Sequence, residues 1–245
     1  FTSPVSLCLR CVGLKTIPDC IRRLSGLSKL VITMCRKLRA LPQLPDSLIS
    51  INAHGCESLE SIDSSSFQNP DICLNFYGCF YLNQKARKII ETSACKYALL
   101  PGRKVPAHFT HRATSDSLTI NLTPTPLPSS IRFKACILLP RHSRLGTVSC
   151  SVSGKQNDLT VEYGSNQLHH MPYINEPEVH LYIFEDSFSL NQDYPETEET
   201  TFRKLSFGVE VPADFTHQAT SGSLTINITP RSLPSSVRFK ACILL

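Results

Sequence analysis

Apolar residues in the first part of the chain recur at an interval too long for a helix or a strand. Leu27, Leu30, Ile32 and Cys35 are matched by Leu48, Ile51, Ala53 and Cys56, an offset of 21. Leu7, Leu9 and Cys11 carry the same theme upstream, one residue short. A second spaced pair follows each cysteine: Leu14 and Ile17, Leu38 and Leu41, Leu59 and Ile62. The period changes over 80–94. There Leu82, Ala86, Ile89, Ile90 and Ala94 fall on one stripe, with Lys85, Arg87, Lys88 and Glu91 opposite, which predicts an amphipathic helix. From 95 onward the alternation shortens to two. It predicts strands at 96–100, 105–110, 117–122, 131–139, 147–153, 158–163, 179–184 and 201–207, punctuated by Gly, Pro, Asn and Ser, as in a two-sheet sandwich.

The long period over 1–62 fits a leucine-rich repeat, an α/β solenoid of roughly 20–29 residues per coil. Each coil gives one short strand to a concave face. Its leucines point into a shared core, and the cysteine sits in a buried turn against backbone groups. About three coils are needed to bury such a core, and the first here is incomplete. The solenoid is therefore expected to continue upstream of Phe1, in a chain that also begins without an initiator Met or a signal-peptide pattern.

One stretch occurs twice. Residues 105–139 and 211–245 align without a gap at an offset of 106, with 28 of 35 positions identical, the mark of a tandem duplication. Both copies alternate as strands. The second has too few strands to close a sandwich, so the two copies are expected to compete for one place, within a chain or by exchange between chains, with copy one winning and copy two packed loosely on an edge or unfolded. The expected division is 1–62 terminal repeats, 63–207 β-domain and 208–245 truncated duplicate.

The charge is +5 but uneven. Residues 81–112 hold seven Lys/Arg and only Glu91 as an acid, while 176–199 hold eight acids and no Lys or Arg. These are two solvated surfaces of opposite sign, or complementary patches between protomers or towards a ligand. Nucleic acid is disfavoured, because stacking aromatics do not interleave the basic stretch. No apolar run approaches the ~20 residues of a membrane helix. Eleven cysteines without framework spacing or a secretory signal suggest reduced thiols in a cytoplasmic or nuclear protein. Cys8 and Cys11 supply only half of a zinc site. His169 and His170 suit an exposed loop better than a metal. His108, His111 and Asp116 lie close in sequence without defining a triad, and the second copy has Asp214 and Gly222 at two of those places.

Three segments carry a family resemblance: LPDSLISINAHGCESLESI, LNFYGCFYLNQKARKII and YALLPGRKVPAHFTHRATSDSLTINL. They resemble the C-terminal part of plant TIR-NB-LRR disease-resistance receptors. There the last repeats lead into a C-terminal jelly-roll/Ig-like domain. The resemblance implies an intracellular sensor in which repeats and jelly-roll domain together bind a pathogen effector protein, with other receptor protomers as further partners. It also implies NAD-cleaving TIR and nucleotide-binding parts. This chain has no G-x-x-x-x-G-K-[ST] phosphate loop and no TIR-like pattern, so no enzyme activity and no cofactor are expected of it. The tryptophan common in relatives at the position of His108 is missing.

Candidate binding residues follow from the coil. Arg10, Val31, Thr33, Asn52 and His54 lie between inward leucines and face the concave side, either as contacts or as solvated positions. On the β-domain, loop residues Arg103, Lys104, His108 and His111 come next. The rival function is a carbohydrate-binding β-sandwich, disfavoured by the absence of Trp and the low aromatic content.

Overall fold

The computed structural model describes residues 5–10, 13–109, 111–113, 117–122, 130–139, 148–156, 159–168, 178–189, 204–210, 224–228 and 236–244. The chain divides into two compact units, Phe1–Lys104 with Glu178–Glu185, and Val105–Pro177 with Asp186–Leu245.

The first unit begins with β1 (Val5–Leu9), β2 (Leu27–Ile32), β3 (Ala40–Leu41), β4 (Ser50–Asn52), β5 (Ser61–Ile62) and β6 (Cys73–Asn75). Helix α1 (Gln84–Thr92) and β7 (Tyr97–Pro101) follow. β1, β2, β4, β6 and β7 are parallel neighbours in one sheet, and β3 pairs in parallel with β5 in another. Leu7, Leu30, Ile51, Leu74 and Ala98 stand in register across the larger sheet, and from Leu30 onward each is buried. The apolar repeat thus becomes a row of touching side chains, each worth ~1.5–3 kcal/mol on full burial for the larger ones.

The turns after the strands share one construction. Met34, Gly55 and Gly78 occupy the left-handed region, with φ of 57, 69 and 71°. The amide of Met34 donates to the His54 carbonyl and that of Gly55 to the Tyr77 carbonyl, both at 2.8 Å. Each of these residues precedes a fully buried cysteine. Cys35, Cys56 and Cys79 donate their thiols back to the carbonyls of Leu9, Ile32 and Ala53, at 3.5, 3.0 and 3.1 Å. The expectation of a small side chain bonded to backbone in a buried turn is met. Burial pushes the Cys56 thiol up to about 12 and that of Cys79 well above the ordinary range, so both stay protonated donors.

Helix α1 is shorter than the 80–94 expected. Asn83 caps it, its side-chain oxygen accepting from the Ala86 amide at 2.8 Å. At the other end the hydroxyls of Thr92 and Ser93 bond back to the carbonyls of Lys88 and Ile90. The Asn83 amide donates to the Glu60 carbonyl, just before β5, and α1 packs against that strand. Leu82, Ala86 and Ile90 are buried, Ile89 is half-buried and Ala94 is exposed.

The second unit is β-structure: β8 (His111–Ala113), β9 (Ser117–Leu122), β10 (Ser130–Leu139), β11 (Val148–Gln156) and β12 (Leu159–Leu168). After β13 (His180–Ser189), whose first residues lie in the first unit antiparallel to β7, come β14 (Lys204–Glu210), β15 (Leu224–Ile228) and β16 (Ser236–Leu244). One sheet has the order β12-β11-β14-β9-β15, and β16 lies between β10 and β8. Of the strand expected at 105–110, residues 105–109 are instead a turn, in which the Phe109 amide bonds to the Pro106 carbonyl, and residue 110 lies outside the described residues; Pro106 has no amide to give a ladder.

The two copies do not compete for one place. β15 lies parallel to β9 and β16 parallel to β10, each residue opposite its own duplicate: Leu118 faces Leu224, and Phe133 faces Phe239. Parallel pairing in register keeps the period-two alternation in step across the pair. Both copies are therefore accommodated at once.

Ile90→Asp places an unpaired charge in a fully buried site and should cost at least about 3 kcal/mol by denaturant unfolding. Ile89→Asp, at a half-buried position, should cost distinctly less. Equal midpoints for the two variants would contradict the packing of α1.

Candidate recognition surface

The sheet face opposite the leucine row carries two further rows. Ser6, Lys29, Ser50, Cys73 and Tyr97 form one, and Cys8, Val31, Asn52, Asn75 and Leu99 the other. Exposure falls along them. Ser6, Cys8 and Lys29 are exposed, and Val31, Ser50, Asn52, Cys73 and Asn75 half-buried. Leu99 is closed over, and so are Tyr182 and Phe184 on β13. The open part is thus small and polar, with cations at Lys29 and Arg10.

Of the residues expected on this face, Val31 and Asn52 lie in its rows, and Arg10, Thr33 and His54 lie just past the strand ends. Arg10 is exposed just past β1, Val31 and Asn52 are cross-strand partners, and Thr33 and His54 lie just beyond β2 and β4. Asn52 also braces the turn that follows it, its side-chain oxygen accepting from the His54 amide at 3.1 Å. Asn75 does the same for the Tyr77 amide at 3.0 Å. Arg103 makes a bidentate ion pair with Glu178, at 2.7–2.9 Å, joining the basic stretch to the acidic one within the chain. Lys104 is exposed beside it. His108 belongs to the second unit, half-buried with its ring 4.6 Å from that of Phe109. His111 lies in β8 opposite Ala241, its side chain outside the described residues. Cys11, Asp116, His169 and His170 also lie outside them.

Sequence reasoning passed over Lys29 and Ser50, which the same offset of 21 pairs on the open face. It also missed His180. Met34 and Gly55 give their amides to the next coil, but the amide of Gly78 meets His180, 102 residues away, with Nε2 accepting at 3.4 Å. Nε2 as acceptor fixes the tautomer, so Nδ1–H donates to the Glu178 carbonyl at 3.0 Å. The ring stacks on Tyr77 at 4.6 Å, and Tyr77 in turn meets His54 edge-on at 4.9 Å. His180 is fully buried, and that burial lowers its pKa from 6.5 to about 4.

Burial raises the Cys73 thiol and pushes the neighbouring Tyr97 hydroxyl up to about 12, so both are neutral at physiological pH. Among the described residues no three His, Cys, Asp or Glu side chains converge as metal ligands would. No described helix is long and apolar enough to cross a membrane.

Comparison with known proteins shows what the chain is similar to. Residues 100–204 match the C-JID domain family. The chain is 43 % identical over 235 residues to the disease resistance-like protein DSC2 of Arabidopsis thaliana, a match covering 81 % of this chain and 19 % of that protein. It is 50 % identical over 127 residues to the probable disease resistance protein RPP1 of the same plant, covering 51 % of this chain and 10 % of RPP1. It is 60 % identical over 99 residues to the disease resistance protein TAO1, also of Arabidopsis thaliana, covering 40 % of this chain and 8 % of TAO1. These matches support a C-terminal fragment of a plant TIR-NB-LRR disease-resistance receptor, with the C-JID match over residues 100–204. It spans about a fifth or less of the length of these relatives.

His180 gives a pH signature. Its pKa is lower folded than unfolded, so its stabilising effect is fully present above about 6.5 and is lost as pH falls towards about 4. The loss amounts to about 3 kcal/mol at about 1.4 kcal/mol per unit. His180→Leu should be less stable at pH 7 yet show a smaller further loss in that window. Parallel pH–stability curves for the two proteins would contradict the buried neutral ring.

Proposed function

We propose that this chain is a protein-recognition part of an intracellular plant immune receptor, acting in the cytoplasm or nucleus. The coils of residues 1–62 are the end of a leucine-rich-repeat solenoid. With the C-JID domain, a jelly-roll/Ig-like fold, they contact a pathogen effector protein. The disease-resistance relatives support the immune role. One observation carries the finer reading: coil after coil presents same-face polar positions at β1, β2 and β4, and this face closes only at β7 and β13. A stack of short strands offers a partner many positions that change without disturbing the leucines beneath them. In this reading the chain does no chemistry. Effector contact reports through parts of the receptor outside it, and other receptor protomers are secondary partners.

The open face tests this directly. Arg10→Glu with Lys29→Glu reverses both exposed cations and leaves the buried rows intact. In a complete receptor the pair should abolish effector-dependent cell death at unchanged protein abundance. An undiminished response would remove this face from the recognition surface. A glycan array run beside an effector pull-down separates protein recognition from carbohydrate binding.

A further inference from the structure

The duplicated segment gives the second unit an edge that its sequence leaves unguarded. The sheet β12-β11-β14-β9-β15 ends in two edge strands. At the β12 end, Glu162 and Gly164 lie within the strand, and its register with β11 shifts at Val152/Ser153. A charge, a glycine and a bulge are devices that stop an edge from pairing with another chain. The β15 end has none of them. Residues 215–230, FTHQATSGSLTINITP, contain no Lys, Arg, Asp or Glu. The parent copy carries Arg112 and Asp116 in the matching stretch, where the duplicate has Gln218 and Gly222. Among the described residues β9 is the one strand paired with β15.

The occupant this edge fits is already visible within the chain. β9 accepts as its neighbour a strand of nearly its own sequence, over the five pairs Leu118–Leu224 to Leu122–Ile228. The backbone and alternation of LTIN therefore suit a partner of the same composition on the polar and apolar faces alike. Two copies of one edge that face each other meet about a twofold axis, which makes their pairing antiparallel.

We propose that the outer edge of β15, the last strand of its sheet among the described residues, pairs with β15 of a second copy of this chain, joining two sheets across a twofold axis. A five-residue contact is short, so the dimer is weak and concentration-dependent.

Sedimentation of the full chain over a concentration series tests this, with expected movement from monomer to dimer mass. Thr225 and Asn227 occupy the polar positions of the strand's alternation. Thr225→Lys with Asn227→Lys should bring like charges together across the axis and weaken dimerisation by about tenfold or more, an effect partly relieved by added salt. Thr225→Pro and Ile226→Pro, made singly, form the second test. Amides alternate in direction along a strand, so one proline should abolish the dimer at unchanged melting temperature, while the other disturbs pairing with β9. A chain that stays monomeric throughout overturns the proposal. So does a dimer that neither the lysine pair nor either proline weakens.

Discussion

The first unit depends on one exchange between neighbouring turns. A residue in the left-handed region gives its amide forward to the next coil, and the cysteine after it gives its thiol back to the previous one. Neither group could be buried otherwise, because an unpaired backbone amide in a core costs about as much as a lost hydrogen bond. The exchange explains why cysteine is tolerated at three successive turns. Its side chain is small enough for the closed corner and still carries a donor. It also explains the glycines: a Cβ on Gly78 would sit 3.4 Å from the Gly55 backbone, and one on Gly55 would meet the Met34 sulfur at 2.7 Å.

A series of this kind needs an end, and here the end comes from far along the chain. The next strand, β7, lies beside β6, but the amide of Gly78 does not go to the turn after it. His180, on the strand that lies against β7, takes it through a ring nitrogen and covers Tyr77 with its face. A neutral histidine is suited to this. One nitrogen accepts where a carbonyl would have, and the other donates to the backbone that holds the ring in place. Burial keeps it neutral, so closure of the coil stack is tied to one protonation state. The same end of the sheet is where Leu99, Tyr182 and Phe184 close the face, leaving its open, polar part to the earlier strands.

The duplicated strands show a different use of repetition. In the coils, repetition is spread over offsets of 21 and more, and the chain links each strand to the next through a turn. In the duplicate, an offset of 106 returns the same strand to the side of its parent, and the pairing falls into register because the sequences are nearly identical. Antiparallel hairpins take their register from the turn that joins them. Here it comes from the matching alternation of the two strands.

Local pattern alone determined much of this protein. The spacing of Leu27, Leu30, Ile32 and Cys35 against Leu48, Ile51, Ala53 and Cys56 fixed the parallel strands, the inward row and the buried turn, because side-chain period and coil length are local properties. The same spacing placed Val31 and Asn52 side by side on the open face. The strand at 117–122 and the α1 stripe were legible for the same reason, and the helix ends missed by a few residues because Asn83, Thr92 and Ser93 set them through side-chain bonds that periodicity does not register. Tertiary structure decided the rest. It chose Ile90 over Ile89 for burial, committed Arg103 to Glu178, gave both copies a place and brought His180 to Gly78. Each of these joins groups far apart in the chain or selects between positions of equal hydrophobicity. No local pattern carries that information, because the energy of a buried hydrogen bond or ion pair depends on the partner that folding supplies.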